Sequence, residues 1–262
     1  MNTNPLEVAM RLLTTLLTLT ALLTSGCVVL NGDGHPIEEL RPLPTFTALE
    51  NRSFLEVSLE KGPGGEARVR CDSNLLGHLE TFVEGDTFVI QMEPGFTVGR
   101  HSGCTLEVAT PRLSSVTSMG SGNVSVCGAH PDFRRAASTG SGDLEICGVE
   151  GDRIEVSSSG SGEVFIGELI APEVVIFHSG SGGVRIEGST DELRVDSSGS
   201  GATETFALPC RTARVQATGS GTVEVSASES VSGNLTGSGD LRVRGGATVQ
   251  VGTSGSGRVI HE

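Results

Sequence analysis

The chain of 262 residues contains no tryptophan and no tyrosine, and its nine phenylalanines are the only aromatic side chains. A cleft that grips a sugar ring or a nucleobase between indole or phenol platforms is therefore excluded. Cations are scarce as well: 18 Lys and Arg stand against 32 Asp and Glu, a formal net charge of −14. That balance repels phosphate backbones, so no nucleic-acid partner is expected. Hydrophobic residues make up 36% of the chain, too few for a conventional thick core. Glycine is what the chain has in excess: 37 residues, about twice the ordinary usage of roughly 7%. Abundant glycine with sparse but ordered apolar residues points to a repeat fold.

The repeat is explicit. Gly-Ser-Gly occurs eight times, with corner glycines at Gly120 and Gly122, Gly140 and Gly142, Gly160 and Gly162, Gly180 and Gly182, Gly199 and Gly201, Gly219 and Gly221, Gly237 and Gly239, and Gly255 and Gly257. The spacing is 18 to 20 residues throughout. Alternating aliphatic pairs follow most triplets (Val124/Val126, Leu144/Ile146, Val164/Ile166, Val184/Ile186, Val223/Val225, Leu241/Val243), and a second pair precedes the next one, as in Ile154/Val156, Val174/Ile176 and Leu193/Val195. This is period-two strand patterning. Each unit reads as strand, loop, strand, glycine corner, and a unit this short buries its apolar face only by stacking on copies of itself.

The predicted fold is all-β, a right-handed parallel β-helix or solenoid with rungs of about 18–20 residues, a rod roughly 40 Å long at about 4.8 Å per rung. The corners need glycine either for φ > 0 or for close backbone approach. The corner serines are expected to stack as a hydroxyl ladder. In the unit from Gly199, Thr203 and Thr205 stand where aliphatics are expected, which predicts a bulge or register shift; Gly233 breaks the pattern in the same way.

Upstream, Met10-Arg11 and the apolar run Leu12–Leu23 have the length of a signal-peptide core, well short of the roughly 20 residues a spanning helix needs. The following Thr24-Ser25-Gly26-Cys27 resembles a bacterial lipobox, with Thr24 where leucine is usual. Residues 1–26 are read as a lipoprotein signal peptide, with Met10 the expected true start because Met1–Ala9 carries Glu7 and no base. The resemblance makes Cys27 the lipidated residue, and Val28 after it favours the outer membrane; ordinary cleavage nearby is the alternative. Residues 27–44, proline-rich and aperiodic, are read as the anchor cysteine and a flexible tether.

Residues 45–262 are read as the solenoid domain, with 119–262 regular and 45–118 a degenerate part that keeps strand alternation without the triplet. Phe46-Thr-Ala-Leu49, Phe54-Leu-Glu-Val57, Asp72-Ser-Asn-Leu-Leu76, the strands starting at Leu79 and Phe88, Val108-Ala-Thr-Pro-Arg-Leu113 and the triplet series together resemble the autotransporter-adhesin head, or GIN, domain family. The resemblance implies a secreted or lipid-anchored β-solenoid of a bacterial envelope and carries over no catalytic residue.

The chemistry-bearing residues give no competing site. The position after each triplet (Asn123, Asp143, Glu163, Gly183, Ala202, Thr222, Asp240, Arg258) tolerates Gly, Ala and Arg, which a calcium-ligand row could not, and is expected to face solvent. The six histidines share no metal-ligand spacing, so no metal or cofactor is expected. Cys127 and Cys147 occupy the same repeat position, about one rung apart, and are a candidate disulfide. Cys71 with Cys104 is a second pairing suggested by location, leaving Cys210 odd; five small buried thiols are the alternative. The expected function is a non-enzymatic envelope lipoprotein, a rigid scaffold for adhesion or protein interaction, tied to the membrane by its lipid and binding an unidentified protein or surface glycan. A self-stacking or periplasmic scaffold, through the open end Arg258–Glu262 whose charges would cap it, is the second reading, and a polysaccharide-acting enzyme the third.

Overall fold

The structure is a computed structural model that describes residues 27–262; the signal segment assigned to 1–26 lies outside the described residues. Period-two alternation produces two parallel walls joined at the glycine corners. Before each corner, Ser115–Ser118, Arg135–Ser138 and Arg153–Ser158 stack in register, each residue beside its counterpart one coil on. The same wall continues through the second halves of Val164–His178, Val184–Ser197, Thr203–Ala217 and Val223–Gly237 to Thr248–Gly255. After each corner, Val124–Cys127, Leu144–Ile146, the first halves of those four long strands, Leu241–Arg244 and Val259–His261 form the second wall. The eight corners bound seven complete coils, and the Cα atoms of Cys127 and Cys147, one coil apart, are separated by 4.9 Å.

The inward residues of both walls make one narrow core. Leu144, Ile146, Val164, Ile166, Val174, Ile176, Val223 and Val225 are all completely enclosed. A fully buried aliphatic side chain contributes about 1.5–3 kcal/mol, so a thin core repeated along the rod is enough. The irregular unit behaves as its sequence predicts: pairing slips between Thr205 and Cys210, and again before Thr212. Thr203 and Thr205 nevertheless keep the inward positions, both fully buried. Thr203 satisfies its hydroxyl against His178 Nδ1, and Thr205 donates to the Glu224 carbonyl. Gly233 has φ +141°, and a Cβ there would run into the Val215 carbonyl.

Both walls change character toward the N-terminus. The rung Ala48–Asn51 and Glu56–Lys61 stacks under Ser115–Ser118 and Val124–Cys127, and Thr87–Met92 and Thr105–Thr110 stack under it in turn. Antiparallel strands then close each wall: Leu79–Glu84 on one, Glu66–Asp72 followed by Pro36–Pro42 on the other. A single helical turn, Ser73–Leu76, buries Leu75 and Leu76 in a stretch that alternation assigns to strand.

The flexible tether read for 27–44 is corrected by the same pairing. Val28–Leu30 pairs with Phe96–Val98, and Pro36–Pro42 runs antiparallel to Glu66–Asp72 over its whole length. Arg41 fixes this edge from outside, its guanidinium donating to the Leu76 and Leu79 carbonyls. Two of the three prolines that suggested a tether, Pro36 and Pro42, sit at the two ends of an edge strand, where a missing N–H is tolerated.

Candidate functional site

The Gly-Ser-Gly corner is the one surface feature repeated along the whole rod. Of the two reasons expected for its glycines, positive φ is corrected for fourteen of the sixteen; only Gly237 and Gly255 have it. Close approach is the general reason. At the base of the stack, a Cβ on Gly120 would overlap the Ser53 carbonyl oxygen and one on Gly122 the Leu55 carbonyl oxygen. From there each corner crowds the one before it. Among the first glycines, Gly140, Gly160, Gly180, Gly199, Gly219, Gly237 and Gly255 each abut the carbonyl oxygen of the first glycine one coil back. Among the second glycines, Gly142, Gly162, Gly182, Gly201, Gly221, Gly239 and Gly257 stand in the same relation to the second glycine one coil back, so that Gly162 meets Gly142, Gly221 meets Gly201 and Gly239 meets Gly221.

The crowding has a bonding purpose. The Gly120 carbonyl accepts the Ser141 N–H at 3.1 Å and the Gly142 N–H at 3.4 Å, and the same fork joins Gly160 to Ser181 and Gly182, Gly180 to Ser200 and Gly201, Gly199 to Ser220 and Gly221, and Gly219 to Ser238 and Gly239. At the Gly140 carbonyl the fork keeps one arm, from Ser161 N–H, and Gly162 contributes only its lack of a side chain. Any side chain at the first glycine would push the coils apart at this contact.

The hydroxyl ladder expected from the corner serines takes a different form. Ser121, Ser141, Ser161, Ser181, Ser200, Ser220, Ser238 and Ser256 lie on the outer surface, so it is their amides that ladder the coils while the side chains project to solvent. The residue before each triplet is exposed too, and from Thr139 it runs Ser159, Ser179, Ser198 and Thr218, all hydroxylic. Two banks of hydroxyls therefore flank a floor of glycine. Between residues 119 and 181 the floor and banks line a shallow trough of about 620 Å³ that contains no ionisable side chain.

Charge is confined to the trough's flank. Asn123 Oδ1 accepts the Asp143 N–H at 2.9 Å, Asp143 Oδ1 accepts the Glu163 N–H at 2.8 Å, and Asp240 Oδ1 accepts the Arg258 N–H at 3.0 Å. The position after the triplet thus does more than face solvent: where it is Asn or Asp, it binds the next coil. The side-chain and backbone hydrogen bonds from Arg258 hold the Asp240 carboxyl below its usual range. Elsewhere the coils are tied by surface ion pairs such as Arg135 with Glu155 and Arg244 with Glu262.

Beneath the trough lies a feature absent from the sequence-based expectations. Except for the exposed Thr253 before the last one, the residue two before each triplet points inward, and with Asn51 beneath them these residues form the column Asn51, Ser118, Ser138, Ser158, His178, Ser197, Ala217, Leu235, each registered on the next. All eight are buried. The signal was present, since this position shares the phase of the preceding aliphatic pair. Burial lowers the affinity of His178 for a proton, and burial followed by the Lys61 charge does the same for His130.

The structure brings Cys127 to Cys147 and Cys71 to Cys104, the latter with Cα atoms 4.4 Å apart, each pair joined as a disulfide. Cys210 is a buried thiol whose pKa is pushed up to about 11 by burial, which makes it unreactive. Cys27 is exposed immediately before the strand Val28–Leu30. Among the described residues no helix is long and apolar enough to cross a membrane.

A family model described as putative auto-transporter adhesin, head GIN domain, matches residues 45–247. Among solved structures, a putative lipid binding protein from Parabacteroides distasonis superposes with a TM-score of 0.83 at 21% identity, covering 90% of this chain and 100% of its own. A putative adhesin from Parabacteroides merdae gives 0.80 at 17% identity, covering 89% of this chain and 99% of its own. A putative adhesin from the first organism gives 0.78 at 21% identity, with 90% and 100% coverage. At these identities the likeness establishes the fold. No curated protein matches the chain.

Proposed function

Because the chain belongs to the auto-transporter adhesin head GIN-domain family, we propose that it is a non-enzymatic outer-membrane lipoprotein whose rod presents the Gly-Ser-Gly trough to a protein or glycan surface. The observation that carries this reading is the pair of uncharged hydroxyl banks, continuous from Thr139 to Ser220 and set at one constant coil spacing. Single hydroxyl contacts are weak; a rigid row engages many at once, and its avidity exceeds that of any one contact. The absence of charge in the trough favours a neutral, hydrogen-bonding counterpart over an ionic polymer.

Lipidation of Cys27 would hold the N-terminal end against the bilayer. Val28 and Val29, directly after it, are exposed apolar residues, as are Ile37 and Leu40 on the edge strand. With 28–30 and 36–42 folded onto the domain, the rod rides close to the membrane, with little slack between lipid and domain.

Beads coated with the protein are tested against immobilised neutral polysaccharides and extracellular-matrix proteins. Substituting Ser141, Ser161 and Ser181 together by Glu should abolish most adhesion while the far-ultraviolet spectrum is unchanged; unaltered adhesion would refute the trough. Cys27→Ser should move the protein from the membrane to the soluble fraction.

End-to-end stacking is kept as a second reading because of one strand. Thr248–Gly255 carries no charge and, among the described residues, pairs only with 230–237. The charges expected to cap this end, Arg258 and Glu262, are engaged with Asp240 and Arg244 instead. Sedimentation over a concentration series separates the readings, since stacking requires assembly that grows with concentration.

A further inference from the structure

We propose that the rod encloses a file of ordered water molecules beneath the Gly-Ser-Gly corners, one in each gap between Ser118, Ser138, Ser158 and His178. Four consecutive stations of the inward column carry polar atoms with no protein partner: Oγ of Ser118, Ser138 and Ser158, and Nε2 of His178. None of these residues is more than 2% exposed. An isolated buried hydroxyl or imidazole nitrogen is costly, and native interiors pair such groups almost without exception. The polar station before them, Asn51, does find partners, as does the other ring nitrogen of His178. Asn51 donates through Nδ2 to the Leu55 carbonyl and accepts from the Ser53 N–H and hydroxyl, and His178 Nδ1 meets Thr203 Oγ1 at 2.9 Å.

Spacing decides what joins the orphans. Consecutive coils are 4.9 Å apart at Cys127 and Cys147, and the serines ride in register on the same coils. Hydroxyls about 4.8 Å apart are too distant for a direct O–H···O bond of about 2.7–2.8 Å. A water about 2.8 Å from each subtends an angle of about 118°, close to tetrahedral, and so bridges them with unstrained geometry.

Room is available at the same stations. The column is filled by Ile90, registered on Asn51, at one end and by Leu235 at the other, both within 2% of full burial. A serine in the same column has two fewer heavy atoms than leucine, which frees a volume of the order of one water's share of about 30 Å³. Ser118, Ser138 and Ser158 therefore combine polar lining with space, the two conditions for a wet rather than an empty cavity. At the end of the file the His178 ring lies against Gly201, where a Cβ would meet Cε1, and its orphan Nε2 is offered to the last water. A hydrated column also penalises any slip of register, because sliding one coil would leave a hydroxyl facing Leu235 or Ile90.

The test combines two measurements on the protein. A high-resolution crystal structure, with oxygen-17 relaxation dispersion in solution, should find three long-lived waters between the four stations. The double variant Ser138→Val and Ser158→Val should lose those in contact with the removed hydroxyls. Ser138→Ala, which retains the space, discriminates by sign even where the valine variant fails to fold. It should lower Tm, because the water loses a partner; in a dry column it would raise Tm by removing an orphan hydroxyl. Empty density between the serines, or a higher Tm for Ser138→Ala, would overturn the proposal.

Discussion

The two ends of the rod are built on different rules. At the N-terminal end, up to about residue 110, strands turn antiparallel and large side chains fill the core: Phe46 and Phe88 are both buried, with ring centroids 5.2 Å apart. Glycines there serve turns; Gly85 has φ +64° and open space around it. From Gly120 onward, aliphatic inward residues repeat and glycine at the corners is required by the carbonyl one coil back. The cap stops the stack with shape, whereas the repeat continues it with backbone. Exposed apolar residues follow the same division, since five of the eight large ones among the described residues, Val28, Val29, Ile37, Leu40 and Phe82, lie in the cap. One end of the molecule thus carries most of the exposed apolar side chains among the described residues, while the uncharged hydroxyl trough runs along the rest.

Substitution of glycine in the two regions should break this comparison most sharply. Gly160→Val forces atoms into the Gly140 carbonyl and should cost more than about 4 kcal/mol, seen as loss of a cooperative denaturant transition. Gly85→Ala should cost only about 1 kcal/mol, the penalty of a left-handed residue in open space. Core truncation comes next. Phe88→Ala in the cap should lose about 3–5 kcal/mol, and Ile166→Val in the repeat about 1, read from urea midpoints at unchanged m. The cross-links follow: replacing Cys127 and Cys147 by serine removes a bridge across 20 residues and should cost about 3 kcal/mol, with a slightly larger loss for Cys71 and Cys104.

Acid should produce the smallest effect, and it belongs to the repeat's buried histidines. His130 and His178 have affinities for a proton held below the ordinary value of 6.5, mainly by burial. The unfolded chain therefore takes up protons first as the pH falls. Their contribution is complete above about pH 6.5 and is lost progressively below it, so Tm should drop between about pH 7.5 and 5.5. His178→Ser should flatten that slope, and an unchanged slope in both single-histidine variants would assign it elsewhere.

The repeat was legible because its cause is local. Triplets mark corners, period two marks the inward residues, and even the slip after Thr205 is announced by threonines in aliphatic stations. The cap was not, because its order is set by contacts distant in sequence: Ala48–Asn51 lies between Thr87–Met92 and Ser115–Ser118, a neighbourhood no local pattern encodes. Residues 28–44 misled for a related reason, since the strand 36–42 exists only through its partner 66–72 and leaves most of its side chains exposed. The sequence left two reasons open for glycine at the corners, positive φ or close approach, and the coil beneath Gly162, Gly221 and Gly239 decides for close approach. The corner serines bond through amides where hydroxyls were expected, yet attention to phase would have located the buried column: Ser158 lies two positions beyond Val156 and so faces the same way.

Amide hydrogen exchange at the corners tests the account most directly. Ser141, Ser161, Ser181, Ser200 and Ser220 have outward side chains, yet each N–H is given to the glycine carbonyl one coil back at 3.1–3.2 Å. Their amides should exchange as slowly as those of Ile146 and Ile166 in the neighbouring strands, with protection set by opening of the stack. Exchange at the rate of an exposed loop would mean that the corners do not hold the coils together, and the division between a bonded glycine floor and free serine banks would fall with them.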